Sequence, residues 1–318
     1  MRDGSQARPK AHGLKPCYEG IRRFKSGPSH TGRRHPSPAD RKSEPKPMSQ
    51  TKSKHAVETI ADADLWEAVV DGVNQIGTKQ EAAFEFEDGR LRIRVKDAAN
   101  VAMIAQTADA DGFEHYAVGG DGVTIGVNTA KFADLLDVAS GDDTVKFHLN
   151  AETRKFEFEA NGVEYELAGI DADSMTGTPV DVPPLKDEYD WSIRCDLPVE
   201  KWATGCDVVD LAGSGHGTFV YDDDADTFAL EGHGDTDTSR VDLTDHDGFA
   251  WRDGNPDGRV ECVMSNDYMP ELIDVLEDGD DDVVRFVTGK ELPIHVWQTH
   301  ADGRIETKVL QAPRIVSD

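Results

Sequence analysis

Cysteine is scarce in this chain: Cys17, Cys195, Cys206 and Cys262 are the whole supply, and no two stand in a CxxC pair. That rules out a zinc knuckle and a disulfide scaffold, and leaves buried free thiols as the expectation. No stretch of 18 consecutive apolar residues occurs, so no membrane-spanning helix and no membrane partner are expected. The N-terminal residues lack an apolar core of the secretory type. Basic residues are outnumbered, 34 Lys and Arg against 62 Asp and Glu, for a formal net charge of −28.

Motifs for chemistry are equally thin. His216, His233, His246, His295 and His300 form no HxxxH or HExxH pattern. Gly213-Ser-Gly-His-Gly217 lacks the Lys-Ser/Thr of a phosphate loop, and no G-x-S-x-G elbow is present. Asp253-Gly-Asn-Pro-Asp-Gly258 echoes a calcium loop, but Pro256 interrupts it and Met264 stands where the twelfth-position Glu belongs. The acidic runs Asp222–Asp226 and Asp278–Asp282 read as solvated turns. A Ser-His-Asp triad assembled only in space stays open at this level. No catalytic residue, metal or cofactor is assigned.

The charge that is present is divided. Residues 1–47 hold 12 basic and four acidic residues, while the chain from Met48 on holds 22 basic and 58 acidic ones. Such an acidic surface repels itself in dilute buffer, and molar salt shortens the Debye length to about 3 Å and screens it. A salt-rich cytoplasm is the environment that fits. Residues 1–47, rich in Pro, Arg, Lys, Ser and Gly, have no hydrophobic period and are expected to be disordered. Either the true start is Met48 or the segment is a basic arm that touches DNA.

Beyond it the chain reads as two halves built alike. Leu65, Trp66, Val69, Val73 and Ile76 recur at helical spacing. Leu91, Ile93 and Val95 alternate with Arg90, Arg92, Arg94 and Lys96, the pattern of a half-buried strand. Further strands are expected at 122–127, 144–149, 155–159 and 163–168. A second helix spans 129–139, with Phe132, Leu135, Leu136 and Val138 inward. Trp66 and Asp71 then match Trp202 and Asp207, and Asp134-Leu-Leu-Asp-Val138 matches Glu271-Leu-Ile-Asp-Val275. Each second motif is followed by Gly-Asp-Asp and a strand, Val145-Lys-Phe147 or Val284-Arg-Phe286. Regular offsets over such separations predict an internal duplication. The organisation expected is 48–170, a Pro-rich connector at 171–188, and 189–318.

Three segments carry a family resemblance. Leu91-Arg-Ile-Arg-Val-Lys-Asp-Ala-Ala-Asn-Val-Ala-Met103, Leu167-Ala-Gly-Ile-Asp-Ala-Asp-Ser-Met175 and Ala312-Pro-Arg-Ile315 resemble, in order and spacing, segments of the archaeal DNA sliding clamps of the proliferating cell nuclear antigen family. The resemblance implies an α+β DNA-clamp fold: two similar domains, each of two β-α-β-β-β units, helices inside and sheets outside, three subunits closing into a ring. It implies a processivity factor without enzymatic activity that encircles duplex DNA and tethers DNA polymerase, clamp loader, ligase and nuclease through short peptide motifs. A regulatory paralogue that sequesters clients is the alternative within the fold, and a hydrolase the alternative outside it.

Carried over position by position, the resemblance implies a client pocket of Asn100, Val101, Met103, Val180, Val182, Leu292, Pro293, Leu310, Ala312 and Pro313. Leu310 stands where the family often has an aromatic, and Gln311 where it usually has an apolar residue. The strand at 163–168, with Val163, Tyr165 and Leu167, would pair with the strand at 227–231 of the next subunit, with Phe228 and Leu230. Lys79, Lys131 and Lys201 are the channel cations. The four expected helices (62–77, 128–140, 198–211 and 266–277) nevertheless hold 13 acids and only two bases, with Asp134, Asp137, Thr204 and Asp207 where bases are common. Screening at molar salt with topological enclosure, bridging cations, or loss of DNA enclosure each account for that.

Overall fold

The computed structural model describes residues 54–76, 80–175, 185, 189–253 and 255–314. The segment 1–47, most of the 171–188 connector, Lys79, Val180, Val182 and Ile315 lie outside the described residues.

In chain order the first half is β1 (His55–Asp62), α1 (Ala63–Asn74), β2 (Glu81–Glu87), β3 (Arg90–Lys96), β4 (Ala102–Asp109), β5 (His115–Val118), β6 (Val123–Asn128), α2 (Thr129–Leu136), β7 (Thr144–Asn150), β8 (Lys155–Ala160) and β9 (Val163–Ala168). The second half is β10 (Ile193–Pro198), α3 (Val199–Leu211), β11 (His216–Asp222), β12 (Thr227–His233), β13 (Thr238–Asp242), β14 (Ala250–Trp251), β15 (Val260–Ser265), α4 (Met269–Glu277), β16 (Val283–Thr288), β17 (Ile294–His300) and β18 (Ile305–Gln311). Setting aside the short β5 and β14, each half is β-α-β-β-β twice, the expected α+β plan.

Local chemistry accounts for the boundaries. The Asp62 carboxylate accepts from the Leu65 amide at 2.8 Å and starts α1; Asn128 does the same for α2 through the Lys131 amide. Asn161 and Gly162, both with positive φ (48° and 78°), make the two-residue turn between β8 and β9. The duplication is visible in geometry. Trp66 meets Phe147 edge-on at 5.4 Å, and Trp202 meets Phe286 at 5.6 Å. The first amide of α1 bonds the Asp143 carbonyl at 2.9 Å, and that of α3 bonds Asp282 at 3.0 Å. Both tryptophans are fully buried.

Three antiparallel sheets result, ordered β5-β1-β7-β8-β9, β14-β10-β16-β17-β18-β4-β3-β2-β6, and β13-β12-β11-β15. The nine-stranded sheet crosses from one half to the other, because β18 pairs with β4 from Ile305↔Ala108 to Gln311↔Ala102. α1 lies against β3, β4 and β18 of this sheet and α2 against β2 and β6, whereas α3 lies chiefly against β12 and β13 of the four-stranded sheet. α1 packs on α2 and α3 on α4, while Asp64, Glu67 and Asp71 of α1 share a cleft with Val275 and Asp278 at the end of α4. Gln106 of β4 reaches up from the sheet to the Ala68 carbonyl of α1 at 3.1 Å.

Two readings of the sequence need correction. Val138 is exposed, and Ala139 takes the inward place; α2 ends at Leu136, so the helical period does not extend to 138. The strand at 227–231 is no edge: β11 and β13 flank β12 on both sides, and Phe228 and Leu230 are core residues with no exposed surface. The edges of that sheet are β13 and β15. The thiols of Cys195, Cys206 and Cys262 are buried, as expected.

Candidate partner-docking site

Of the residues expected to receive a client, those described lie at one end of the nine-stranded sheet. Met103 of β4 and Leu310 of β18 are direct cross-strand partners. Their even-numbered and odd-numbered neighbours alternate in burial, which sets both side chains on the outer face, opposite the helices. The Ala312 amide bonds the Val101 carbonyl at 2.7 Å, tying the C-terminal segment to the 97–101 loop. Leu292 and Pro293 precede β17, whose first residue Ile294 pairs with Gln311. Asn100 holds φ 59°, a conformation Asn tolerates well, at the exposed tip of the loop. Pro313 is half-buried just beyond.

Sequence reasoning missed what holds this loop. The nearly buried Asp97 carboxylate accepts from the amides of Val101 (2.6 Å) and Ala102 (2.7 Å) through one oxygen and Ala99 (2.7 Å) through the other. Tyr268, at the start of α4, donates its hydroxyl to the same Asp at 3.0 Å. Asp ahead of a turn is a recognisable signal; its long-range tie to Tyr268 is not. Trp191 and His295 were missed as well. Trp191 stands edge-on to His295 at 5.2 Å, and the imidazole stacks on Trp297 at 5.7 Å. The connector's start is anchored on the far edge strand, where Gly126 and Ile170 exchange 2.8 Å backbone bonds. A β-carbon at Gly126 would fall 2.6 Å from the Met175 sulfur, so only glycine lets Met175 seat there.

Burial pushes the His295 imidazole down to about 4. The folded state therefore binds fewer protons than the unfolded chain between roughly pH 4 and 6.5, and this contribution, full above the unfolded value, is lost as pH falls through that window. Burial likewise depresses His148 and His300. We expect His295→Phe, which keeps a ring between the two tryptophans, to recover about 3 kcal/mol of acid sensitivity between pH 7 and 4. Denaturant titrations of both chains across that range check it; equal pH slopes would refute it.

The two outermost sheets expose edges. β9 is a free edge of one, with Val163 and Tyr165 exposed and Leu167 turned into the core. β13 is a free edge of the other. Glu164 and Glu166 lie opposite Glu159 and Glu157 on the outer face, where Lys155, Lys146 and Lys54 pair with Glu166, Glu159 and Glu157. On β13 the Arg240 guanidinium bonds Glu231 and Thr227.

The helix wall is acidic. Burial and the neighbouring carboxylates of Asp64, Asp71 and Asp137 raise the Glu67 carboxyl above its ordinary value; burial, Asp278 and Asp137 do the same to Asp71. Lys131 is exposed on α2 and Lys201 half-buried on α3. Asp134, Asp137, Thr204 and Asp207 are all exposed on the wall. Strand β3 brings its cations to the outer face instead, where Arg92 and Arg94 pair with Glu87 and Glu85. Among the described residues no group of three or more His, Cys, Asp or Glu is placed to hold a metal ion, and no helix is long and apolar enough to cross a membrane.

A family model described as "Proliferating cell nuclear antigen, N-terminal domain" matches residues 58–175. The DNA polymerase sliding clamps of Haloarcula marismortui and Natronomonas pharaonis are each 31% identical over 259 residues, covering 81% of this chain and 98% of the relative. Among solved structures, the A. fulgidus PCNA bound to the C-terminal region of FEN-1 superposes with a TM-score of 0.66 at 24% identity, over 82% of this chain and all of that one. PCNA from Thermococcus kodakaraensis gives 0.66 at 18%, over 81% of this chain and all of that one.

Proposed function

The chain belongs to the DNA polymerase sliding clamp family, and we propose that it acts as a processivity clamp: three copies close head to tail around duplex DNA in the cytoplasm and tether polymerase, clamp loader, ligase and nuclease by their short motifs, with no catalysis of their own. Tethering raises a client's local concentration without new contacts at the reacting atoms. Residues 48–170 and 189–318 are read as the two clamp domains, and 171–188 as the connector.

The observation that carries this reading is that β9 and β13, each a terminal strand of its sheet, lie in opposite halves, while the other ends of the same two sheets are β5 and β15. An exposed strand edge is an aggregation liability, and a head-to-tail contact between these two removes both at once in a closed ring. Backbone parity supports the match. The two-residue turn at Asn161-Gly162 makes Ala160↔Val163 a hydrogen-bonded pair, so Tyr165 and Leu167 point their amides at β8, while Glu164, Glu166 and Ala168 point theirs outward. On β13 the Leu243 amide bonds Phe228, so by the same alternation Arg240 and Asp242 point outward. A register that sets Glu166 against Arg240 lets the outward backbone groups of both strands pair; within the subunit the two side chains are held by Lys155 and by Glu231. On this reading the interface residues are Val163 and Tyr165 of one copy and β13, rather than Phe228 and Leu230, of the next.

Client binding is read at Met103, Leu310, Val101, Ala312, Leu292, Pro293, Asn100 and Pro313, with Val180 and Val182 contributed by the connector. DNA is held by enclosure: at molar salt the screening length is about 3 Å, and phosphate attraction adds little. Lys79, Lys131 and Lys201 remain the channel cations. Light scattering in molar KCl is expected to give a trimer, and the protein is expected to lengthen the products of its polymerase on primed circular DNA. A monomer that also fails to bind client peptides would overturn the reading. The acidic wall favours one rival, a client-sequestering paralogue, which would form rings yet never stimulate the polymerase.

A further inference from the structure

The outer face of the nine-stranded sheet carries a charge pattern that enclosure of DNA does not use. Two adjacent cross-strand rows run over β16, β17, β18, β4 and β3. One is Val287–His295–Leu310–Met103–Lys96. The other is Arg285–Trp297–Lys308–Ala105–Arg94. Apolar Leu310 and Met103 thus lie between Lys96 at one end and a cationic row along one side. In a chain with nearly twice as many acids as bases, this is a concentrated basic patch.

Two of its cations have no carboxylate partner among the described residues. Arg94 pairs with Glu85 and Lys308 with Glu306, but among the described residues no carboxylate is within ion-pair distance of Arg285 or Lys96. Arg285 is exposed, its guanidinium carbon 5.0 Å from the centre of the Trp297 ring, a cation–π contact that leaves the charge without a carboxylate. Trp191, seated on His295, closes the β17 end of the apolar row. An occupant of the Met103–Leu310 floor therefore leaves along the Arg285 row.

We propose that this face selects short partner segments whose apolar anchors are flanked on both sides by carboxylates, one meeting Lys96 and the other Arg285. The inference rests on the client-docking reading above and adds the chemistry of the client. From β3 to β16 is four interstrand steps, about 19 Å at the usual spacing, which an extended segment spans with about six residues. The two acidic groups should thus stand about that far apart. Single-stranded nucleic acid, the other anionic candidate, needs a bare aromatic face for its bases. Trp297 offers none, being stacked on His295 and covered by Arg285.

The test uses the full chain and fluorescence anisotropy of short labelled peptides with the same Leu and Phe anchors and Glu, Gln or Lys flanks. The Glu-flanked peptide should bind about two- to fivefold tighter than the Gln-flanked one for each flank, the range of an exposed ion pair, with the gap narrowing in molar KCl. Lys96→Gln and Arg285→Gln should each erase the preference at one flank only, and an unchanged circular-dichroism spectrum confirms folding. Peptides that bind equally whatever their flanks, with binding lost in Met103→Ala, would overturn the inference and spare the docking site. No binding, or binding indifferent to Met103→Ala, would overturn both. An oligonucleotide that competes with the peptide and is lost in Arg285→Gln would overturn it in favour of nucleic acid.

Discussion

A Glu166→Pro chain is expected to run as a folded monomer in molar KCl while the unchanged chain runs as a trimer. The amide of Glu166 points away from β8, so proline removes nothing from the β8–β9 ladder. Proline is tolerated on an edge strand for that reason. Against a neighbouring subunit the same ring removes a donor and intrudes on the partner strand, at a cost of about 3 kcal/mol per interface, over a hundredfold in its dissociation constant. Tyr165→Pro makes the contrast one residue away. Its amide serves Phe158, so that change frays the hairpin and lowers the stability of the monomer as well. Light scattering and denaturant titration of the two variants separate the outcomes. A Glu166→Pro trimer would mean that the ring closes through some other surface.

Asp97→Ala should cost at least about 3 kcal/mol, since three backbone amides lose their acceptor in a nearly buried place. The damage lies in the docking site. Without the carboxylate, the 97–101 loop loses both its internal turn and its tie to Tyr268, and Val101 no longer presents its carbonyl to Ala312. Peptide affinity should fall more than tenfold, far beyond the effect of either flanking cation. Asp97→Asn keeps one acceptor oxygen and should recover part of both losses. Guanidinium titration in molar KCl reads the first effect and anisotropy the second. Full affinity in a destabilised Asp97→Ala chain would remove the loop from the binding site.

Sequence made the architecture legible where periodicity and duplication reinforce each other. Trp66 and Trp202, Phe147 and Phe286, and the alternation of Leu91, Ile93 and Val95 each land where their pattern puts them, because burial of a face is what the pattern encodes. The limits are equally physical. The resemblance implies an interface at Phe228 and Leu230, and strand periodicity, which tells which face of β12 is buried but not which strands flank it, cannot show that β13 covers that edge. The helical period around Val138 outlives the helix, because an apolar residue can follow a cap without joining the buried stripe. Of the candidate docking site, the loop and the C-terminal segment are suggested by local motifs. The Asp97–Tyr268 bond spans 171 positions and the Trp191–His295 contact pairs the segment ahead of β10 with β17, and neither leaves a local trace.

The pairing of β18 with β4 has a consequence for synthesis. The central sheet of the first half borrows a neighbour encoded more than two hundred residues further along. A nascent chain that has released only its first half thus leaves β4 with a bare rim, and Met103 without Leu310 beside it. On the docking reading proposed above, recruitment of partners waits for the ribosome to finish, and truncated translation products are expected not to compete with finished subunits for replication enzymes.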